Sequence, residues 1–195
     1  MRIAVDIGGT FTDLVAVDDN GQVSRSKSLT TPDDLARGID DCLKGANVDV
    51  AGASFFVHGS TVTINAVIER KGARTGLITT KGFRDVIEIG RQVRPHLFDY
   101  GVVKPPPLAA REHRHEIGER VDARGAVIAA LIDREVEAAA KKLKSAGVKS
   151  VAVCFLHSYR NPAHEQAARR VVERVLPDAY ISVSSEVLPE FREYE

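Results

Sequence analysis

Apolar and polar positions alternate in short runs along the first thirty residues. Ile3-Ala4-Val5 predicts a strand, apolar on both sides and therefore central in a sheet. Leu14 to Val17 predicts a second strand. Asp18-Asp19-Asn20-Gly21 predicts a hairpin turn, in which Asn-Gly is the strongest signal. Val23 to Leu29 predicts a third strand, and its Arg25 and Lys27 suit a sheet edge. The period then lengthens. Thr31-Pro32-Asp33-Asp34 predicts a helix start, with Thr31 as cap, and Leu35, Ile39, Cys42 and Leu43 mark one helical face. Ser54 to Val57 reads as a strand, His58-Gly59-Ser60-Thr61 leads into a helix ending near Arg70, and Thr75 to Thr79 reads as another strand.

Residues 80 to 130 are less regular. Pro95 and Pro105-Pro106-Pro107 predict an extended crossover or flap, and His115 to Val121 with Ala126 to Ile128 predict a hairpin. Asp133 predicts a helix start, Val136, Ala139, Ala140 and Leu143 its inner face, and Gly147 its end. Val151 to Leu156 predicts a buried strand. Asn161-Pro162 starts a helix with Ala167, Val171, Val172 and Val175 facing inward, and Tyr180 to Val183 is a last strand. Three antiparallel strands followed by alternating helices and strands predict an α/β fold with a mixed sheet. The opening matches a ribonuclease H-like lobe. The expected organisation is a ribonuclease H-like phosphate-binding core over residues 1–80, an irregular insertion with a hairpin over 81–130, and a smaller α/β portion over 131–195.

Composition narrows the function classes. The 195 residues are 44% hydrophobic, enough for a real core. Lys+Arg and Asp+Glu are both 27, so no basic excess points to nucleic acid or to an anionic membrane surface. No apolar run approaches the length of a membrane span, and Asp6 interrupts the only apolar stretch near Met1. Cys42 and Cys154 fall at apolar positions and read as reduced thiols in a cytoplasmic protein.

Candidate chemistry concentrates in the first turn, between the first two strands. Gly8, Gly9 and Thr10 place backbone N–H groups around a tight bend that a phosphate can approach. Asp6 precedes the bend and can hold Mg²⁺ through water, while Thr12 and Asp13 follow it. The same spacing also suits a hairpin with Asp6 and Asp13 as turn caps. There is no Gly-Lys-Ser/Thr, and a strand rather than a helix follows the glycines, so neither a Walker A loop nor a dinucleotide fingerprint fits. His58, Thr61 and Asn65 lie at a strand end and helix start, a favoured ligand position, though ordinary capping explains them equally. Lys71 and Arg74 flank a helix exit, where cations are favourable. Arg84 and Arg91 suit either an anionic group or solvated charge. His157 follows a buried strand and either faces a site or bonds loop backbone. His113 and His115 lack partners at zinc-ligand spacing.

"DIGGTFTD" resembles the first phosphate motif of the actin, sugar-kinase and heat-shock chaperone ATPase superfamily. It resembles more closely the N-terminal region of the hydantoinase/oxoprolinase A subunits. "HGSTVTINAVIERKGARTGLITTKGFRDVIEIGRQ", "EIGERVDARG", "VAVCFLHSYRNPAHE" and "SSEVLPEFREYE" fit the same family in order, with Ser60 where the family has threonine. The resemblance implies ATP-dependent opening of hydantoins or lactams by phosphorylation of the amide oxygen, with related subunits in acetone and acetophenone carboxylases. It implies ATP and Mg²⁺ as cofactors, Asp6 on the metal and as a catalytic residue with His58, and Gly8, Gly9, Thr10, Thr12 and Asp13 around the nucleotide. Thr61, Asn65, Arg91 and His157 become candidate substrate or phosphate contacts. Family subunits are several times longer, which implies a further lobe of the same protein and a B-type partner subunit. On that basis the chain is expected to be an N-terminal fragment that binds ATP weakly and does not turn over lactams alone. The alternatives are a subunit fragment of an ATP-dependent acetone or acetophenone carboxylase and a subunit-docking lobe without catalysis.

Overall fold

The computed structural model describes residues 1–93, 96, 98–99 and 101–192. Pro95 and the last three residues of the "SSEVLPEFREYE" stretch lie outside them. The chain divides into two units, Met1–Gly72 and Ala73–Glu195.

The first unit is a four-stranded sheet with one helix laid on it. Strand β1 (Arg2–Ile7) pairs antiparallel with β2 (Phe11–Val17), which pairs antiparallel with β3 (Val23–Leu29). Strand β4 (Phe55–Ser60) lies parallel to β1 on its other side, giving the order β3-β2-β1-β4. Helix α1 (Leu35–Ala46) covers one face, where Ile3, Val5, Ile7, Leu14, Ala16 and Cys42 form the core. This is the mixed sheet expected of the opening, with β3 at an edge as its charges predict. The expectation that both faces of β1 are buried does not hold: Ile3, Val5 and Ile7 are buried, whereas Arg2, Ala4 and Asp6 are exposed on the opposite face. The α1 cap also differs. Asp34, not Thr31, accepts from the Ala36 N–H, while the Thr31 hydroxyl accepts from the Gly38 N–H one turn further in. A short helix, α2 (Val62–Ile68), follows β4 directly.

The second unit is built on a parallel sheet. Strand β5 (Thr75–Thr80) lies between β6 (Ala109–Ile117) and β9 (Ser150–Cys154), and β10 (Tyr180–Val183) pairs with β9. Strand β5 thus belongs to this sheet and not to a core ending at residue 80. Strand β6 is likewise a full member of it, and only β7 (Arg120–Val121) and β8 (Val127–Ala129) form the hairpin. Between β5 and β6 lies a one-turn helix, α3 (Val86–Ile89). Helices α4 (Asp133–Ser145) and α5 (Ala163–Val175) pack together and line the core through Val136, Ala140, Leu143, Ala168, Val171 and Val172. On α5 the fully buried alanine is Ala168 rather than the expected Ala167, which is only half-buried. Gly147 closes α4 at φ +70°, as its position predicts. A last turn of helix, α6 (Ser184–Val187), follows β10. The portion expected to be smaller is therefore part of the longer unit.

Candidate functional site

The β1–β2 turn is fixed by its neighbours. The Gly8 N–H donates to the Phe11 carbonyl at 2.9 Å, and a Cβ on Gly8 would stand 2.9 Å from that same oxygen. A Cβ on Gly9 would stand 2.8 Å from Asn65 Nδ2, so the Asn65 side chain of α2 reaches the turn there and would have to turn aside for any larger residue. From below, the Thr30 hydroxyl donates to the Gly8 carbonyl at 2.8 Å and lies 3.2 Å from the Thr12 hydroxyl. The Cys42 thiol donates to the Thr12 carbonyl at 3.1 Å. On the side of β4, the Thr61 N–H donates to the Ile7 carbonyl at 3.1 Å. Asp6, Gly8, Gly9, Thr10, Thr61 and Asn65 therefore gather around the end of β1.

Strand register decides what else joins them. Gly59, Asp6, Asp13 and Lys27 are successive partners across β4, β1, β2 and β3, on the face away from α1. Asp6 and Asp13 stand directly opposite, an unfavourable juxtaposition of like charges. Lys27 Nζ lies 3.0 and 3.2 Å from the two oxygens of Asp13 and 4.7 Å from the centre of the Phe11 ring. Among the described residues the Asp6 carboxylate has no ion-pair or hydrogen-bond partner. Thr12 is fully buried on the α1 face, where its hydroxyl braces the turn from beneath. His58 is in register with Val5 and so lies on the opposite face of the sheet from Asp6; the fold does not bring these two expected catalytic residues to one surface.

The remaining candidates, apart from Lys71, belong to the second unit. Arg91 is exposed and follows Gly90 in a left-handed turn, at φ +52°. His157 also has a left-handed backbone, at φ +60°, and its ring stands edge-on to Tyr159 at 6.1 Å. Arg84, Arg111 and Arg114 surround Asp85, whose carboxyl is held below the usual carboxylate range by the Arg111 fork at 2.9 and 3.0 Å. Lys71 pairs with Glu69 at 2.7 Å and Arg74 donates to the Ala146 carbonyl at 2.6 Å, so both finish local ends of structure. His113 and His115 stand two apart on β6; among the described residues no group of three metal-ligating side chains gathers.

One buried network goes unforeseen in the sequence. Glu119 accepts from the Thr80 hydroxyl and lies 2.7 Å from His164 Nδ1. Glu165 is fully buried and accepts from the Phe155 N–H at 2.9 Å, the Ser184 hydroxyl at 2.6 Å and the Ser185 N–H at 2.8 Å. Together these carboxylates bind residues at the C-terminal ends of β5, β9 and β10. A signal was available: His164 and Glu165 sit four and three residues before Ala168, and seven before Val171 and Val172 respectively, on an otherwise apolar helical stripe.

The model of the hydantoinase/oxoprolinase N-terminal region matches residues 2–176. The chain belongs to the hydantoinase/oxoprolinase family. Within it, the chain is 34% identical over 203 residues to caprolactamase subunit alpha of Pseudomonas jessenii, covering 99% of this chain and 29% of that subunit. The crystal structure of that ATP-dependent caprolactamase superposes with a TM-score of 0.81 over the whole chain, 30% of its own length. The nucleotide-free acetone carboxylase structure superposes with a TM-score of 0.86 at 28% identity, over 99% of this chain and 30% of the other. The 5-oxoprolinase of Saccharomyces cerevisiae is 31% identical over 97% of this chain and 18% of the enzyme. The chain thus spans less than a third of the family members it matches.

Proposed function

We propose that this chain carries the magnesium- and phosphate-facing loop of an ATP-dependent enzyme that opens a cyclic amide by phosphorylating its oxygen. The observation that carries this reading is the unpaired Asp6 carboxylate beside Gly59 and Asp13, at the foot of a turn that closes too tightly on the Phe11 carbonyl to admit a side chain at Gly8. A single carboxylate left without a partner, where no group of three metal-ligating side chains gathers among the described residues, suits a cation that keeps most of its waters. Magnesium is such a cation, and it needs no all-protein cage. Mg²⁺ bound there would neutralise phosphate charge. Asp6 would hold it through water. Gly8, Gly9 and Thr10 would face the phosphates, with Thr61 and Asn65 beside them, and Thr12 would keep the turn in shape. The names of the caprolactamase and 5-oxoprolinase relatives support a cyclic-amide substrate.

The test is Mg-ATP binding by calorimetry, paired with ATP-dependent turnover of hydantoin, 5-oxoproline and caprolactam by the longer protein together with any B-type partner subunit. Asp6→Ala is expected to lower both by at least about 100-fold. Unchanged binding in that variant would remove the loop from the nucleotide site. The fit to acetone carboxylase favours a second reading, a ketone carboxylase subunit using the same phosphorylation step. Acetone-dependent ATP consumption without lactam opening would select it.

A further inference from the structure

Lys27 stands in the same row as the two aspartates, and its position is poorly explained by edge protection alone. A lysine placed to keep a sheet edge from pairing extends into solvent. Lys27 instead folds back onto Asp13, touching both carboxylate oxygens, and over the ring of Phe11, at the start of β2. Phe11 also supplies the carbonyl that closes the turn on Gly8. The ammonium is therefore held beside the turn by two independent contacts, on the face that carries Asp6. Asp6 is left as the unpaired carboxylate of the row.

We propose that Lys27 is a phosphate-contacting residue of this site: its ammonium, poised on Asp13 and Phe11, donates to an oxygen of the bound nucleotide's phosphate chain. This rests on the reading of the turn as a nucleotide-phosphate loop. The charges divide the work. Asp6 is available to the metal, Asp13 holds the lysine in place, and the lysine adds a mobile donor that the backbone N–H groups of the turn cannot supply. Lysine suits this role as a compact point charge with three donors, of which Asp13 occupies two at most.

Calorimetric titration of the longer protein with Mg-ATP and with magnesium tripolyphosphate separates the possibilities. Lys27→Met is expected to weaken both by at least about tenfold, and Lys27→Arg to retain most of the affinity. Lys27 is half exposed, so the fold is expected to survive, checked by circular dichroism. The deciding variant is the double substitution Lys27→Met with Asp13→Asn. If Lys27 contacts phosphate, the double variant binds as weakly as Lys27→Met. Recovery of parental affinity would overturn the proposal, because Lys27 would then serve only to neutralise Asp13. Parental binding by Lys27→Met, with loss in Asp6→Ala, would overturn it while leaving the phosphate loop intact. No binding by the parent protein to either ligand would overturn both.

Discussion

Asp6 and Lys27 show how much single residues depend on register. Asp6, close to two glycines, is legible in the sequence because a carboxylate and a tight turn are local features. Lys27 is not, because its nearness to Asp13 arises from pairing between two strands, and a one-residue slip would place it on the other face. His58 fails for the same reason. Standing beside Gly59 and Ser60, it reads as part of the site, yet its register with Val5 turns it away from Asp6. His115 carries a prediction at this scale. Burial, with smaller contributions from Lys142 and His113, holds its imidazole below the usual histidine range. The unfolded chain therefore takes up the proton first. This stabilisation is fully present above the unfolded value of about 6.5 and is lost as pH falls through the lower folded value. Urea midpoints measured from pH 7.5 to 5 should decline over the acidic half of that range. His115→Phe should flatten the decline, and an unchanged slope would assign it to other groups.

The longer helices α1, α4 and α5 are legible, because an amphipathic period repeats several times within each, whereas the one-turn α3 and α6 are not. Val136, Ala139, Ala140 and Leu143 are all buried on α4 as their spacing predicts. Strand partnership is not legible. Thr75 to Thr80 reads as a short apolar run in either sheet, and only the contacts of its neighbours place it between β6 and β9. Its glycine explains how α4 comes so close. A Cβ on Gly76 would stand 2.5 Å from Leu143 Cδ2 and 3.3 Å from the His113 carbonyl oxygen, with backbone on one side and a core leucine on the other. Gly76→Ala should therefore cost about 1–3 kcal/mol in chemical denaturation, the range for an overpacked core. Gly72→Ala, where nothing lies within 4 Å, should stay within about 0.5 kcal/mol. Equal effects would mean that the helix yields without strain.

Across the whole chain, each unit has a separate core, and the two cores differ in how they meet polar groups. In the first unit the sheet keeps one apolar face against α1, while Val15, Val57 and Phe55 on the other face remain between 41% and 56% exposed. The family model spans this division, since it runs from residue 2 to residue 176. In the second unit the core closes around buried carboxylates; the apolar stripe of α5 marks Glu165 as facing inward, but not its partners, which come from distant strands. Glu165 is the clearest of these. It anchors the loop after β9 through the Phe155 N–H and the start of α6 after β10 through Ser184 and the Ser185 N–H, from a single side chain on α5. Two amide protons thirty residues apart thus share one acceptor and should share one clock. In deuterium the Phe155 and Ser185 amides are expected to exchange by the same opening event, and Glu165→Ala should release both together.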